Sequence, residues 1–364
     1  MRLSGRALVQ TGPRQLEERE FPLPAIGADD GLLRVQRCGL CGTDVEQVHG
    51  DISWVPGNVI PGHEPVGVIE AVGESAAARW GVEPGDRVVV EAFVPCRRCE
   101  YCAAGQFSSC PVQIQLGFVP VSHHPPLLGG FAEYLYLPPN ATLHKMSSAV
   151  PLDLAPFYNA LTCGVDWVTD AAGVSLGSTV VILGCGPRGI ACGLVAKAAG
   201  AEQVIMTGLT ADAPKLAIAR ELGVDATIDV EQQDLGECVR ALTAGRLAHV
   251  VIDVVPGAAG TVTDAIEIAR PRGTIVIAGM KGDRTVPGLR SDQLVLKALT
   301  VKGVRGKRSS SYGVAISILE SKRFPLERLA PRAYPLSAAL QAIEDQAGNG
   351  GQPAGLCVSI APGE

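Results

Sequence analysis

The sequence predicts an α/β protein of two domains, one of irregular antiparallel β-structure and one built on a doubly wound parallel sheet. Three observations predict it. Short β-prone runs broken by turn residues fill the stretch from residue 1 to about 150. From about residue 170, apolar runs alternate with segments of helical periodicity, the rhythm of a parallel sheet with helices on both faces. The length, 364 residues, also exceeds the roughly 150 expected of one domain.

Taken in order, GLLRVQRCG, PVGVIEAVG, GDRVVVEAFV and FAEYLYLP are the strands of the first domain, over residues 1–158. The second domain, 159–302, reads STVVILGCG, GIACGLVAKAAGA, EQVIMTG, DAPKLAIARELG, HVVIDVV, TDAIEIARPRG and TIVIAGM, strand and helix in turn. Residues 303–364 leave that rhythm: a helical SYGVAISILESKR, a helical SAALQAIEDQ, a turn in GNGGQPAG and a terminal apolar LCVSI return the chain to the first domain.

Composition narrows the function. Hydrophobic residues make up 47% and charged residues 19%, an ordinary globular balance, and 43 glycines imply many tight turns. The net charge is −6 and no lysine or arginine run is present, which excludes nucleic acid as a partner. The opening MRLSGRALVQTGPRQLEERE lacks a signal peptide's apolar core, and no run approaches the roughly 18 apolar residues of a membrane span. A cytoplasmic location is expected, where eleven cysteines point to metal rather than disulfides.

Gly184, Gly186 and Gly189 form G-x-G-x-x-G directly after a strand and before a helix, with Cys185, Pro187 and Arg188 between them. In that setting the first glycine makes the turn, the second lets the backbone approach a pyrophosphate and the third packs helix on strand. The helix N-terminus then offers unpaired N–H groups to the phosphates. The acidic residue expected about 20 positions on, to bond the ribose of NAD, meets Gly208 instead. Beyond it stand Asp212, a displaced carboxylate or a helix cap, and Lys215, a partner for a 2′-phosphate. The cofactor is NAD or NADP.

Cys96, Cys99, Cys102 and Cys110 stand as C-x2-C-x2-C-x7-C within a lobe at 95–111. Four thiolates so close can close a tetrahedral Zn²⁺ and leave no position for substrate, the mark of a structural site. A redox CxxC pair would leave two thiols over, and a nucleic-acid zinc module fits neither the net charge of −6 nor the attached dinucleotide domain. Upstream, Cys41 and, some twenty residues later, His63 bring a thiolate and an imidazole suited to an open zinc site, with Glu64 directly after the histidine.

The chain resembles the zinc-containing medium-chain alcohol dehydrogenase family over essentially its whole length. The resemblance rests on C-G-T-D at 41–44, G-H-E at 62–64, G-D-R-V at 85–88, the four-cysteine lobe, GGFAEY at 129–134 and G-x-G-x-x-G at 184–189. It implies a GroES-like catalytic domain joined to a Rossmann domain, two zinc ions per chain, one catalytic and one structural, and a homodimer or homotetramer. It further implies that Cys41 and His63 bind the catalytic zinc, that Glu64 binds or approaches it, that Asp44 orients His63 and that Thr43 receives the substrate's hydroxyl proton.

Two departures qualify it. Asn159 stands where a third protein ligand, cysteine or glutamate, is usual, and a neutral carboxamide is a poor zinc ligand. Either Cys41, His63, Glu64 and water hold the ion, with Asn159 beside the water, or the catalytic zinc is weak or absent. Glu46 takes the place of the family's relay histidine; it passes the proton on or is a plain surface acid.

The function expected is hydride transfer between a secondary alcohol or polyol and NAD(P), with zinc lowering the pKa of the alcohol in a cleft between the domains. An NADPH-linked carbonyl reductase and a catalytically silent nucleotide or metal sensor are the alternatives. Trp54, Phe93 and the segment LGFVPVSHHPPLLGGF are candidates for the pocket wall.

Overall fold

The computed structural model describes residues 3–349 and 355–364. Most of the turn expected in GNGGQPAG therefore lies outside the described residues. The chain divides into two compact units, Met1–Asn159 with Arg308–Ser321 and Leu329–Glu364, and Ala160–Lys307 with Lys322–Arg328.

The first unit is built on a seven-stranded sheet in the order Arg332–Pro335, Val358–Ala361, Gly31–Gly39, Pro65–Val72, Arg87–Val90 and Leu143–Lys145, with Tyr134–Leu137 also paired to Gly31–Gly39. A separate hairpin joins Ser4–Gly12 to Gln15–Pro22. Leu33, Val35, Phe131, Leu135, Ile343 and Ile360 share one buried core. Two of these come from the last strand and helix of the chain, so the C-terminal segment completes this core.

Gly31–Gly39 and Pro65–Val72 run antiparallel with Cys38 opposite Pro65. That register determines where the chemistry falls. Cys41, at the start of the helix Gly42–His49, and His63 and Glu64, just before the neighbouring strand, emerge at the same end of the pair.

The second unit holds a six-stranded, wholly parallel sheet ordered Ala226–Asp229, Gln203–Gly208, Thr179–Leu183, Ala248–Asp253, Ala269–Ile277 and Thr300–Gly303. Thr179–Leu183 is buried along its whole length, as its unbroken apolar TVVIL requires of a central strand covered on both faces. The order reverses at this strand, and the crevice beyond the strand ends at such a point is where ligands of this fold class bind.

Several elements were invisible in the pattern, among them the four-residue strand Ala226–Asp229 and the eight-residue helix Leu235–Leu242, whose cap Asp234 accepts from the Glu237 N–H at 2.7 Å. Another differs. TDAIEIARPRG is helical only to Ile268, and Ala269–Ile277 is already strand. Pro271 supplies no N–H and disfavours helix at the residue before it, which stops the helix and starts the strand early.

Candidate active site

Cys41, Asp44, His63, Glu64 and Asn159 are each at least 92% buried in the first unit, with Asp44 wholly so. The Cys41 sulfur lies 3.3 Å from His63 Nε2. On the far side of the imidazole, Nδ1 meets Asp44 Oδ1 at 3.1 Å, while Asp44 Oδ2 accepts the Cys41 N–H at 2.9 Å. One carboxylate therefore caps the helix carrying it and sets the ring so that Nε2 faces the sulfur. Asp44 reaches the nitrogen turned away from the sulfur, which is the position of a residue that orients a ligand.

This donor set fits zinc. A thiolate and an imidazole nitrogen 3.3 Å apart are spaced as two ligands of one tetrahedral ion with bonds of about 2.3 and 2.0 Å. Burial pushes the Cys41 thiol above its ordinary value, although the charge of His63 pulls the other way. For His63, burial favours the neutral ring, but the charges of Asp44 and Cys41 outweigh it and hold the imidazole well above the usual histidine value.

Glu64 Oε1 lies 3.7 Å from His63 Nε2 and accepts a hydrogen bond from the Asn159 side-chain amide. Its other oxygen packs against Gly39 so closely that a Cβ there would come within 2.6 Å. The carboxylate is thus held between a strand-end glycine and a carboxamide, beside the Cys41–His63 pair.

Thr43 is half-buried in the first turn of the helix that Cys41 opens, and Glu46 is half-buried one turn later. Trp54 is 60% exposed and stacks on buried Phe118 at 5.2 Å, and the Phe118 ring lies 5.9 Å from that of His63. The sequence singled out Trp54 but only the segment containing Phe118; nothing in the pattern identified that ring as the link to His63. Phe93 is half-buried on a two-residue strand paired with Ile114–Gln115.

Cys96, Cys99, Cys102 and Cys110 place their four sulfurs within 4.8 Å of one another. The Cys99–Cys102 and Cys96–Cys102 separations are 3.4 and 3.8 Å, the spacing of thiolates around one zinc. The Arg98 N–H pulls the Cys96 thiol down to about 6, whereas burial and the bond to Cys99 push Cys102 up to about 11. A divalent cation would stabilise all four as thiolates.

In the second unit, Gly184 turns with φ +101° and its N–H donates to Thr207 Oγ1 at 3.2 Å. A Cβ on Gly189 would stand 2.1 Å from the Gly184 carbonyl oxygen, whereas one on Gly186 would meet nothing within 4 Å. The third glycine is demanded by packing; the second leaves open space at the start of the helix Pro187–Ala198, whose unpaired N–H groups could receive an anion. The Arg188 guanidinium sits 5.8 Å from the centre of the Trp167 ring. Asp212 and Lys215 pair with each other at 2.9 Å.

Comparison with known proteins gives two family matches, an alcohol dehydrogenase GroES-like domain over residues 27–148 and a zinc-binding dehydrogenase domain over 187–321. A probable alcohol dehydrogenase of Mycobacterium tuberculosis (strain CDC 1551 / Oshkosh) is 41% identical over 94% of each chain. An erythritol/L-threitol dehydrogenase of Mycolicibacterium smegmatis is 33% identical over 91% of each. The crystal structure of an alcohol dehydrogenase from Thermotoga maritima superposes with a TM-score of 0.88 at 26% identity, covering 99% of this chain and all of the other.

Proposed function

The chain belongs to the zinc-containing medium-chain dehydrogenase family and is a zinc-type, NAD(P)-dependent alcohol or polyol oxidoreductase, and from that premise we propose that Cys41, His63 and Glu64 hold the catalytic zinc and that the substrate is a secondary alcohol. The observation that carries this reading is the buried Cys41–His63 pair, 3.3 Å apart and braced from behind by Asp44. Zinc held there supplies Lewis acidity to a hydroxyl, and the dinucleotide supplies the hydride acceptor.

The chain's own residues do the rest. Asp44 fixes which imidazole nitrogen faces the ion. Asn159 donates to Glu64 and keeps its carboxylate beside His63. Thr43 receives the hydroxyl proton and Glu46, one turn on, passes it toward solvent. Trp54 and Phe118 form an apolar wall beside His63 that favours the carbon skeleton of an alcohol over a fully hydroxylated chain. Cys96, Cys99, Cys102 and Cys110 hold a second, structural zinc. Gly184, Gly186, Pro187, Arg188 and Gly189 receive the pyrophosphate, with Gly208, Asp212 and Lys215 at the adenosine ribose.

The chain acts as a homodimer or homotetramer in this reading. The edge strand Thr300–Gly303 is exposed throughout, and Val295 and Leu296, just before it, are 78% and 76% exposed. An unpaired edge beside such apolar side chains suits a second copy. A cytoplasmic setting accords with eleven cysteines of which no two are joined in a disulfide. Among the described residues no helix is long and apolar enough to cross a membrane.

The test is a panel of secondary alcohols and polyols with each dinucleotide, alongside metal analysis. About two zinc ions per chain and alcohol-dependent reduction of the cofactor are expected. Zinc near one per chain with no turnover of any alcohol would favour the sensor and overturn the assignment.

A further inference from the structure

The parallel strand Gln203–Gly208 ends on a glycine at the position from which folds of this class present a carboxylate to the adenosine ribose. Space for a side chain there is already filled. A Cβ on Gly208 would stand 2.8 Å from the Cys185 sulfur and 3.1 Å from Asp212 Cβ. Asp212, four residues later, folds back to the strand end, where its Oδ2 accepts the Leu209 N–H at 3.2 Å. The missing carboxylate is therefore present, delivered from the start of the next helix.

Two further carboxylates stand at the same strand end. Asp229, the register partner of Gly208 on the adjacent strand, accepts from Thr210 Oγ1 at 2.8 Å, and Glu231 accepts from the Thr210 N–H at 2.8 Å. The cation beside them, Lys215, is already bound to Asp212 at 2.9 Å.

We infer that Asp212 is the residue that recognises the adenosine ribose and that it makes the enzyme select NAD(H) over NADP(H). A ribose 2′-hydroxyl donates to a carboxylate. A 2′-phosphate offers only oxygens and negative charge, and would face Asp212, Asp229 and Glu231 with one lysine already engaged. This inference rests on the reading of the glycine loop as a dinucleotide site.

The test is direct binding of NADH and NADPH to the zinc-loaded protein by calorimetry, in wild type, Asp212→Asn and Asp212→Ser. The wild type should bind NADH at least about tenfold more tightly than NADPH. Because a hydrogen bond to a charged group is lost, Asp212→Asn should weaken NADH by about tenfold to a hundredfold and leave NADPH unchanged or tighter. Asparagine and serine both keep an acceptor for the Leu209 N–H, so one of them preserves the local fold. A wild-type preference for NADPH, or an equal loss of both ligands in the variants, would overturn the inference while leaving the dehydrogenase assignment intact. Failure of the wild type to bind either dinucleotide would overturn both.

Discussion

Replacing Asp44 with asparagine probes the catalytic pair through one atom. Asp44 is wholly buried and accepts two hydrogen bonds at once, from the Cys41 N–H at 2.9 Å and at His63 Nδ1 at 3.1 Å. A carboxamide has one acceptor oxygen. If that oxygen serves Cys41, the amide N–H₂ faces Nδ1 and drives the ring proton to Nε2, the nitrogen that must be bare to bind metal. If it serves His63, the buried Cys41 N–H loses its partner. Loss of such an orienting contact lowers metal affinity by roughly tenfold to a hundredfold, about 1.4 to 2.7 kcal/mol. The assay is competition for zinc against a chromophoric chelator, with the four-cysteine lobe intact in both proteins so that the more labile ion reports on Cys41 and His63. An Asp44→Asn protein that gives up neither ion more readily than wild type would refute the argument that Asp44 orients His63 for metal.

Three other expectations follow from the same geometry. Asn159→Ala removes the donor to Glu64 in a buried setting and should lower stability by roughly 1–3 kcal/mol, read from denaturant unfolding of the first unit's transition; an unchanged transition would mean Glu64 does not depend on Asn159. In the metal-free protein His63 and Cys41 both hold their protons more tightly than free groups do, so zinc must displace them. Affinity should then rise with pH through the ordinary histidine range and past the ordinary cysteine range, and weaken on acidification; a flat profile would contradict the pairing. Gly189→Ala places a Cβ 2.1 Å from the Gly184 carbonyl and should cost roughly 1–3 kcal/mol of stability together with dinucleotide affinity, measured by unfolding and NADH titration; wild-type behaviour in both would refute the packing role.

Much of the site was legible because its chemistry is local in sequence. The glycine loop is written in six consecutive residues, and the cysteine lobe in fifteen. The two-domain plan was readable because fully buried parallel strands such as TVVIL are continuous apolar runs. What depended on tertiary contact was not. Asn159 lies 95 residues from Glu64, and only the fold shows that its amide meets that carboxylate. Phe118 joins Trp54 to His63 from a loop with no periodicity to report it. The strand Ala226–Asp229 was too short to carry a pattern, yet it brings Asp229 opposite Gly208. Asp212 read equally as a displaced carboxylate or a helix cap, and only the fold shows that a Cβ on Gly208 would stand 3.1 Å from its own.

Buried Cys41 and His63, with Glu64 beside them, form a working zinc site in the reading proposed above. The most direct measurement is the zinc content and alcohol-dependent cofactor reduction of wild type and Cys41→Ser in parallel. Wild type should hold about two zinc ions and turn over, and the variant about one ion with activity abolished while the lobe keeps its metal. A Cys41→Ser protein that retains both ions and oxidises alcohols like wild type would contradict it.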